Sequence, residues 1–548
     1  MTTNRVPRKD FIVARCMKSC PAGVDVPRYI RAVRMGKFDE AVGIVREKIP
    51  FPSVCADACF APCEDACAYR QFGDPVAIRA LKRVAVNRAG DGWKEFKKQS
   101  PATDKKVAVI GAGPAGLTAS YYLATLGHQV TLLDEFPKPG GMMRYGIPKY
   151  RLPEERLDRD VKDILDLGIV FRGGVSVGRD IDLDELIRDF DAIIIASGAQ
   201  ASARAPLEGT GKEGFWWGLE FLREVALGKP AEMGKRVVVI GGGNVAIDVA
   251  LTAGRLGAEE VNLFCLETRD EMPAHPWEIA LAEEEGVFIH NAWAPKKVMG
   301  DERVEGLGLK RCVSVFDAAC NFNPVYEEEI THKIPADTVI AAIGQASMLD
   351  FVKGQDRIRV QGNRLAVSDD DLSAGQPGIF AAGEVVTGPA SIISAIAQGR
   401  QLAVSVDRYL GGTGDISEVL APPEEEVLID ERAPIRQRQQ MPNLKVWERK
   451  GSFEQVEMGF TDQQAALESS RCLDCDARQF EVVVNTAHCK ECGYCKQVCD
   501  MDVFGPAKDF NPKGYKPMEC KSSEWCVGCL KCFFACPDFA IDVRERTA

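Results

Sequence analysis

The chain has 548 residues, enough for several domains, and 46% of them are hydrophobic, which argues against general disorder. Its formal net charge of −12 argues against nucleic acid as the main partner, because phosphate binding needs a basic surface. No stretch approaches the roughly 20 apolar residues of a transmembrane helix, so membrane insertion is not expected.

The first 100 residues form the first predicted domain, and they are rich in cysteine. Residues 1–15 are polar and basic and lack the apolar core of a signal peptide. Six cysteines follow at short spacing: Cys16, Cys20, Cys55, Cys59, Cys63 and Cys67. Closely spaced cysteines without an export signal indicate metal binding in a reducing cytoplasm rather than disulfides.

A βαβ unit begins after a linker at residues 90–100. Residues 105–110 predict a short buried strand, a glycine turn follows, and an alanine- and leucine-rich helix ends near residue 127. The second strand, residues 130–133, ends on Asp134, about twenty residues after the turn. The glycines of the turn, which allow close approach to a pyrophosphate, are Gly111, Gly113 and Gly116. This unit predicts a dinucleotide site in which Asp134 accepts the ribose hydroxyls.

The same unit recurs about 130 residues later. Residues 236–240 predict its first strand, and residues 261–266 predict a second strand that ends on Glu267. The turn between them carries Gly241, Gly243, Asn244 and Ala246. Two such units favour two bound dinucleotides over one working site and one decayed copy.

Later segments are predicted to return to the first unit. Residues 336–344 and 378–384 have the composition of buried strands, the second with Gly383 and Glu384 at its end, and a helix follows over 391–410. The second dinucleotide domain is therefore predicted to be inserted into the first. The predicted boundaries are 101–200 and 335–412 for the first domain, and 201–334 for the second.

Residues 413–480 are predicted to be a linker. Its stretch 421–448 is rich in proline and glutamate and is expected to be extended. The linker carries Cys472 and Cys475 close to its end.

Two cysteine runs in residues 481–548 have the spacing of two-cluster bacterial ferredoxins. They are Cys489, Cys492, Cys495 and Cys499, and then Cys526, Cys529, Cys532 and Cys536. In that pattern the fourth cysteine of each run ligates the other run's cluster, so Cys536 joins the first three and Cys499 joins the second three. Zinc or a disulfide framework is the alternative, but zinc usually takes two pairs at longer separation. The pattern predicts two [4Fe–4S] clusters and one-electron chemistry.

Residues 10–412 resemble the pyridine-nucleotide:FAD oxidoreductases of the glutamate synthase small-subunit family and the N-terminal half of dihydropyrimidine dehydrogenase. The resemblance rests on the cysteine pattern of residues 55–67, on the motif GGMMRYGIP at 140–148, and on residues 378–399. It implies two nested Rossmann-like α/β domains behind a helical iron–sulfur domain of residues 1–100. The ferredoxin-like domain of residues 481–548 is an addition to the family pattern.

By this resemblance the first dinucleotide site holds FAD and the second holds NAD(P)H. Residues 140–148, which include Gly141 and Arg144, then line the isoalloxazine ring, and Gly383 and Glu384 meet the ribityl chain, where the family usually has aspartate. NADPH-using relatives carry two arginines at the positions of Leu266 and Glu267, and a carboxylate there accepts a free 2′-hydroxyl and repels a phosphate. NADH is therefore expected rather than NADPH. Two alternatives stay open: Arg269 partly compensates for the missing arginines, or Glu267 is an ordinary solvated strand end without a role in coenzyme choice.

The resemblance also implies ligands for two N-terminal [4Fe–4S] clusters. In the family, a segment with the pattern RCLxC precedes the first cluster cysteines, whereas here it occurs at residues 471–475. A rearrangement then gives cluster one four ligands from both ends of the chain: Cys16, Cys67, Cys472 and Cys475. The rival interpretation is a separate small site formed by Cys472 and Cys475.

Cluster two is expected to use Cys20, Cys59 and Cys63. The family position of its fourth ligand matches Lys82, which cannot ligate iron, so Cys55 is the candidate substitute. Among the remaining cysteines, Cys265, Cys312 and Cys320 are expected to be core thiols.

The predicted function is that of an NADH-linked diaphorase subunit in a cytoplasmic hetero-oligomer. FAD accepts a hydride and the clusters take single electrons, so no acid–base dyad is needed and no catalytic side chain is predicted. The expected partner is a catalytic redox subunit or a ferredoxin. The alternatives are a stand-alone or bifurcating NAD(P)H:ferredoxin oxidoreductase, a glutamate synthase small subunit, and a non-catalytic electron wire.

Overall fold

The computed structural model describes residues 4–7, 11–229, 233–355, 357–429 and 436–545. These residues form two compact units. The first contains the chain up to residue 98, residues 417–442 and everything from residue 459, and the second contains residues 99–416 and 443–458. Among the described residues, no helix is both long and apolar enough to cross a membrane.

The first unit begins with a helical bundle. Its α-helices are Arg15–Lys18, Val26–Arg34, Phe38–Arg46, Pro52–Ala58, Pro62–Asp65 and Ile78–Arg88. Short 3-10 helices cover Ala68–Gln71 and Gly92–Phe96. The helix Val26–Arg34 begins after Asp25, whose carboxylate accepts the Arg28 N–H at 3.4 Å, and Pro27 occupies its first turn.

Segments from the far end of the chain pack against this bundle. The strand Glu426–Ile429 pairs with Asn4–Pro7, and the helix Asp462–Ser469 contacts the bundle. Arg438 donates to Glu64 at 2.6 Å. The fully buried Arg471 lies 4.2 Å from the Tyr69 ring. The structure thus brings residues 462–476 to the N-terminal bundle.

Arg31 is the central buried group of this contact. It donates twice to Asp476, at 2.8 and 2.7 Å, and also to Glu424 and Asp474, at 2.6 and 3.2 Å. Its side chain is 6% exposed, whereas that of Arg34, one helical turn later, is 32% exposed.

Replacing Arg31 with methionine is expected to destabilise the contact by about 3–5 kcal/mol, because the loss of one partner leaves buried carboxylates uncompensated. Arg34 also bonds to Asp474, at 3.1 Å, and to the Ser469 oxygen, at 3.3 Å, but Asp474 keeps Arg31 when Arg34 is lost, so Arg34→Met should cost less, about 1 kcal/mol. Hydrogen exchange of the helix Asp462–Ser469 measures the local opening free energy in both variants. Equal protection of that helix in the two variants would contradict the central role given to Arg31 in this contact.

The linker prediction for residues 413–480 is wrong in one respect, because residues 443–458 belong to the second unit. The Leu444 N–H donates to the Val456 oxygen at 2.8 Å, and the Val456 N–H donates to the Tyr150 oxygen at 3.0 Å. A short helix, Val446–Arg449, lies between them. Buried Val456 therefore anchors the middle of the predicted linker, while residues 430–435 of its extended stretch lie outside the described residues.

The C-terminal domain of the first unit consists of two short antiparallel ribbons and two short helices. Its strands pair Phe480–Val484 with Ile541–Glu545 and Phe504–Pro506 with Met518–Cys520. Its helices are Tyr494–Gln497 and Lys531–Ala535. An apolar core includes buried cysteines of both runs.

The second unit contains two five-stranded parallel sheets. The first has the spatial order Ile379–Ala381, Ala192–Ile195, Lys106–Ile110, Gln129–Asp134 and Val170–Gly173. Its helices are Pro114–Thr125, Met142–Tyr145, Glu154–Leu165, Leu183–Asp189, Glu384–Thr387 and Ile392–Tyr409. The central strands are buried along most of their length, as parallel sheets covered on both faces require.

The second sheet has the order Val287–His290, Glu260–Phe264, Arg236–Ile240, Thr338–Ala341 and Phe215–Trp217. Its helices are Gly218–Ala226, Asn244–Arg255 and Pro276–Glu284. The strand Thr338–Ala341 pairs with both neighbours here, so the prediction that residues 335–344 belong to the first domain is wrong. The ribbon of Ala201–Ser202 with Gln345–Ala346 marks the crossing between the domains instead.

A three-stranded antiparallel sheet extends the second domain, with strands Trp293–Met299, Gly306–Phe316 and Phe322–Pro335. Cys265 and Cys312 are buried, as expected of core thiols. Cys320 is exposed, contrary to expectation, because it lies at φ +61° in the tight turn between the last two strands.

Candidate functional site

The glycine turn of the first sheet has a backbone that side chains would obstruct. Gly111 has a φ of +105°, and a Cβ there would clash with the main-chain oxygen of Ala196. A Cβ at Gly116 would clash with the oxygen of Gly111. Gly113 has nothing within 4 Å of its Cβ position, so the loop is open beside the N-terminus of the helix Pro114–Thr125. This is the geometry that admits a pyrophosphate.

A cavity of about 240 Å³ adjoins this turn. Its lining includes Asp134, Glu135, Ser197 and Gln200. Ser197 Oγ and Gln200 Oε1 are buried without a hydrogen-bond partner among the described residues. Buried polar atoms need partners, and the hydroxyls and phosphates of FAD supply them, so the residues present fit that cofactor. The sequence signal for Ser197 and Gln200 is their position after a central parallel strand, where such sheets bind ligands.

Asp134 already has two backbone partners. Its Oδ2 accepts the Ala112 N–H at 2.7 Å, and its Oδ1 accepts the Phe136 N–H at 2.9 Å. Each oxygen retains acceptor capacity, so the predicted ribose contact stays a prediction. Burial raises the pKa of this carboxyl to about 6, although the two N–H donors favour the ionised form.

Asp134→Asn is expected to change how stability depends on pH in the FAD-free protein. Because the folded pKa of about 6 exceeds the unfolded value of about 3.9, the stabilisation is present below pH 4 and is lost as pH rises through about 6. The full difference is about 3 kcal/mol. Thermal unfolding of both deflavinated proteins between pH 4 and pH 7 measures it, and parallel curves would contradict the shift.

The predicted isoalloxazine segment lies directly on the glycine turn. Gly141 has a φ of +53°, and its Cβ position is 2.7 Å from the Gly113 Cα. Arg144 is buried, donating to the Pro139 oxygen at 2.7 Å and to Asp158 at 2.5 Å. Its Nη1 has no hydrogen-bond partner among the described residues, which leaves a buried donor for a ligand.

Gly383 and Glu384 lie at the start of the short helix Glu384–Thr387. This helix follows a parallel strand of the first sheet, at the same edge as the first glycine turn. The Gly383 N–H donates to Gln398 at 2.6 Å, and a Cβ at Gly383 would lie 3.1 Å from the Ala115 side chain. Glu384 accepts the Ala390 N–H at 3.1 Å, and burial raises the pKa of its carboxyl. The structure thus brings these residues to the helix that follows the first glycine turn, and the ribityl contact stays a prediction.

The second glycine turn repeats the geometry of the first. Gly241 has a φ of +138°, and its Cβ would clash with the oxygen of Ala342, while Gly243 is open except for Pro273 at 4.0 Å. Asn244 accepts the His275 N–H at 2.9 Å through Oδ1, which fixes the following loop against the turn. Ala246 is fully buried in the helix Asn244–Arg255.

Glu267 lies at this turn. Its Oε2 is 2.6 Å from the Cβ position of Gly242, and burial raises the pKa of the carboxyl. Arg269 makes two hydrogen bonds of 2.7 Å to Glu283. The acidic group therefore lies beside the turn, while the neighbouring arginine is paired elsewhere.

Three of the four predicted cysteine sets each line a cavity of their own. One cavity is lined by Cys16, Cys67, Cys472 and Cys475. A second is lined by Cys499, Cys526, Cys529 and Cys532, and a third by Cys489, Cys492, Cys495 and Cys536. All twenty cysteines are free thiols, and no three His, Cys, Asp or Glu side chains in the described chain are arranged to hold a single metal ion. Four thiols around an otherwise mainly apolar cavity fit a [4Fe–4S] cluster, and iron ligation itself stays a prediction.

The fourth set surrounds Lys82. Burial lowers the pKa of the Lys82 ammonium, but attraction to the surrounding cysteine sulfurs in their thiolate form more than offsets that effect, so the pKa is raised. These sulfurs belong to Cys59, Cys55, Cys63 and Cys20. The structure therefore places Cys55 beside the other three candidates, with a buried cation among them.

Comparisons with known proteins give the following matches. The family described as pyridine nucleotide-disulphide oxidoreductase matches residues 105–399, and the dihydropyrimidine dehydrogenase domain II, 4Fe-4S cluster, matches residues 12–92. The beta subunit of an NADP(+)-dependent formate dehydrogenase from Moorella thermoacetica is 37% identical over 85% of this chain and 71% of its own. The beta subunit of an NADPH-Fe(3+) oxidoreductase from Geobacter sulfurreducens is 36% identical over 85% and 75%. The glutamate synthase [NADPH] small chain of Mycobacterium tuberculosis is 34% identical over 74% and 88%.

The first family match covers more than half of the chain and contains both glycine turns, and the second contains the N-terminal cysteines. The expected resemblance and α/β fold class are confirmed. The chain belongs to the pyridine nucleotide-disulphide oxidoreductase family, as an oxidoreductase that combines FAD with [4Fe–4S] clusters.

Proposed function

We propose that the chain is the NADH-oxidising or NAD⁺-reducing electron-transfer subunit of a larger cytoplasmic redox complex. The observation that carries the proposal is the combination of two glycine-turn sites in one unit with four cysteine sets in the other. FAD, when bound, accepts a hydride and releases electrons singly, and iron–sulfur clusters accept them one at a time.

The residues of the second unit have binding and positioning roles in this proposal. Gly113 and Gly243 leave each turn open to a pyrophosphate, and Ser197 and Gln200 supply polar contacts to FAD. Glu267 accepts the 2′-hydroxyl of NADH and disfavours the extra phosphate of NADPH. The two bacterial beta subunits are named for NADP(+) or NADPH, so the NADH preference proposed here differs from the coenzyme in their names.

The C-terminal domain provides the proposed outlet to a partner. In the set of Cys489, Cys492, Cys495 and Cys536, Cys492 is exposed, and Phe534 and Phe539, on either side of Cys536 in the chain, are 78% and 80% exposed. Three similar proteins are named as a beta subunit or a small chain, which supports a catalytic partner subunit and a hetero-oligomer.

Anaerobic purification of the native complex, with mass spectrometry of the co-purifying chains, tests the partner. The isolated chain is then assayed for NADH-dependent dye reduction. A stoichiometric catalytic subunit together with dye reduction supports the proposal. A chain that is purified alone but reduces free ferredoxin with NADH would make the stand-alone oxidoreductase the better account, and a chain without dye reduction would be an electron wire.

A further inference from the structure

In the first unit, side chains close to the cysteines join two of the four cysteine sets. These are the set of Cys16, Cys67, Cys472 and Cys475 and the set of Cys499, Cys526, Cys529 and Cys532. Arg15 directly precedes Cys16, and its Nη1 donates to the main-chain oxygen of Asp500 at 3.2 Å. Asp500 directly follows Cys499. The same Nη1 lies 3.6 Å from the sulfur of Met501. A residue next to Cys16 therefore contacts residues that directly follow Cys499.

Gln71 forms the second part of this junction. It follows Cys67 by four residues, its Nε2 donates to Asp500 Oδ2 at 3.0 Å, and its Oε1 lies 3.8 Å from the Cys529 sulfur. The side chain is only 2% exposed. Cys529 has no proton to donate once it binds iron, so the bond from Nε2 to Asp500 is the one that ties the segment after Cys67 to the segment after Cys499.

Apolar and aromatic groups complete the contact. Ala68 belongs to the apolar core of the C-terminal domain, and Leu473 and Cys475 pack against that core. Lys18 lies 5.2 Å from the ring of Trp525, the residue before Cys526. The apolar core that Ala68 joins contains cysteines of both C-terminal sets, so it is the polar and aromatic contacts of Arg15, Gln71 and Lys18 that favour the set containing Cys499 and Cys526.

We propose that Gln71 and Arg15 are positioning residues that hold two cysteine sets side by side as one closely coupled redox pair. The two sets are Cys16, Cys67, Cys472 and Cys475, and Cys499, Cys526, Cys529 and Cys532. The inference rests on the proposed function, because coupling matters only if both sets hold clusters. Close, fixed spacing is what one-electron exchange between neighbouring centres requires.

The first test follows the reduction of the holoprotein by NADH with freeze-quench EPR. Chains carrying Cys475→Ala or Cys526→Ala identify the signals of the two sets. In Gln71→Leu, the reduction of the C-terminal centres should be delayed, while FAD bleaching and reduction by dithionite are unchanged. Gln497→Leu, an exposed glutamine in the same domain, should behave like the unsubstituted chain.

If Gln71→Leu is purified with less iron than the unsubstituted chain, Arg15→Gln is the test variant instead. Arg15 is only partly buried, so its replacement should disturb the fold less. Reduction at the unsubstituted rate in an iron-replete variant would overturn the inference.

A second readout needs no NADH. In the dithionite-reduced chain, the C-terminal signals should show a magnetic interaction with the N-terminal set, and Cys475→Ala should remove that part of the line broadening. Absence of this interaction overturns the coupled pair. If the magnetic interaction is present but NADH does not reduce the chain, the coupled pair is supported and the proposed function is refuted.

Discussion

Replacing both Leu266 and Glu267 with arginine is expected to shift the coenzyme preference towards NADPH. Glu267 lies beside the glycine turn, with Oε2 2.6 Å from the Gly242 Cβ position. Two guanidinium groups there would bind a 2′-phosphate through charge-assisted hydrogen bonds, as the arginine pair of NADPH-using relatives is expected to do. Removing the carboxylate also removes a like-charge repulsion.

The expected size follows from that repulsion. If it costs about 1.4–2.8 kcal/mol, Glu267→Gln alone changes the ratio of the two kcat/KM values roughly 10- to 100-fold. The double arginine variant should exceed that change, because it adds attraction to the loss of repulsion. Arg269 does not substitute for the added arginines, since its guanidinium is bonded to Glu283.

Anaerobic dye reduction with NADH and NADPH measures both kcat/KM values. Glu271→Arg is the matched control, because Glu271 lies in the same loop but bonds to Thr268. A comparable shift in this control would indicate a general effect of charge. If the unsubstituted chain already prefers NADPH, the proposal of NADH specificity is wrong.

Local sequence patterns predicted much of this site, because the turn and its ligand contacts lie within a few residues. The glycine turns at Gly111 and Gly241 have the positive φ and close approaches that their spacing indicates. The cavity-lining groups of Ser197 and Gln200 were missed. They follow the strand Ala192–Ile195, and that position is their only sequence signal, because the strand is far from the first turn in the sequence.

The sheet assignment of residues 338–341 could not be read from their composition. A short apolar run indicates a buried strand, but both sheets of this chain are parallel and buried, so either could accept it. Pairing with Arg236–Ile240 decides the matter, and that is a contact between residues about 100 positions apart.

The environment of Lys82 shows a similar limit. Counting cysteines singled out Cys55 as the fourth member of its set, but the count says nothing about the ammonium among the thiols. The packing of the helices Pro52–Ala58 and Ile78–Arg88 creates that arrangement. A buried lysine costs desolvation, and the surrounding cysteines offset that cost when they are thiolates.

Cys16→Ala and Cys475→Ala are expected to remove the same iron–sulfur cluster, although the two residues are 459 positions apart in the sequence. Both line one cavity, and the pKa of the Cys16 thiol is raised by burial and by its neighbours, Cys475 first among them. Each variant should lose about a quarter of the iron, because one of four proposed clusters loses a ligand.

Iron analysis and EPR of the dithionite-reduced variants measure this effect, and the two difference spectra from the unsubstituted chain should coincide. Cys320→Ala is the matched control, since Cys320 is exposed in a turn outside all four sets and its loss should leave iron and spectrum unchanged. Different spectra for Cys16→Ala and Cys475→Ala would mean that Cys472 and Cys475 form a site of their own. Coincident spectra, with the iron of the other three sets retained, would support one cluster completed by the two ends of the chain.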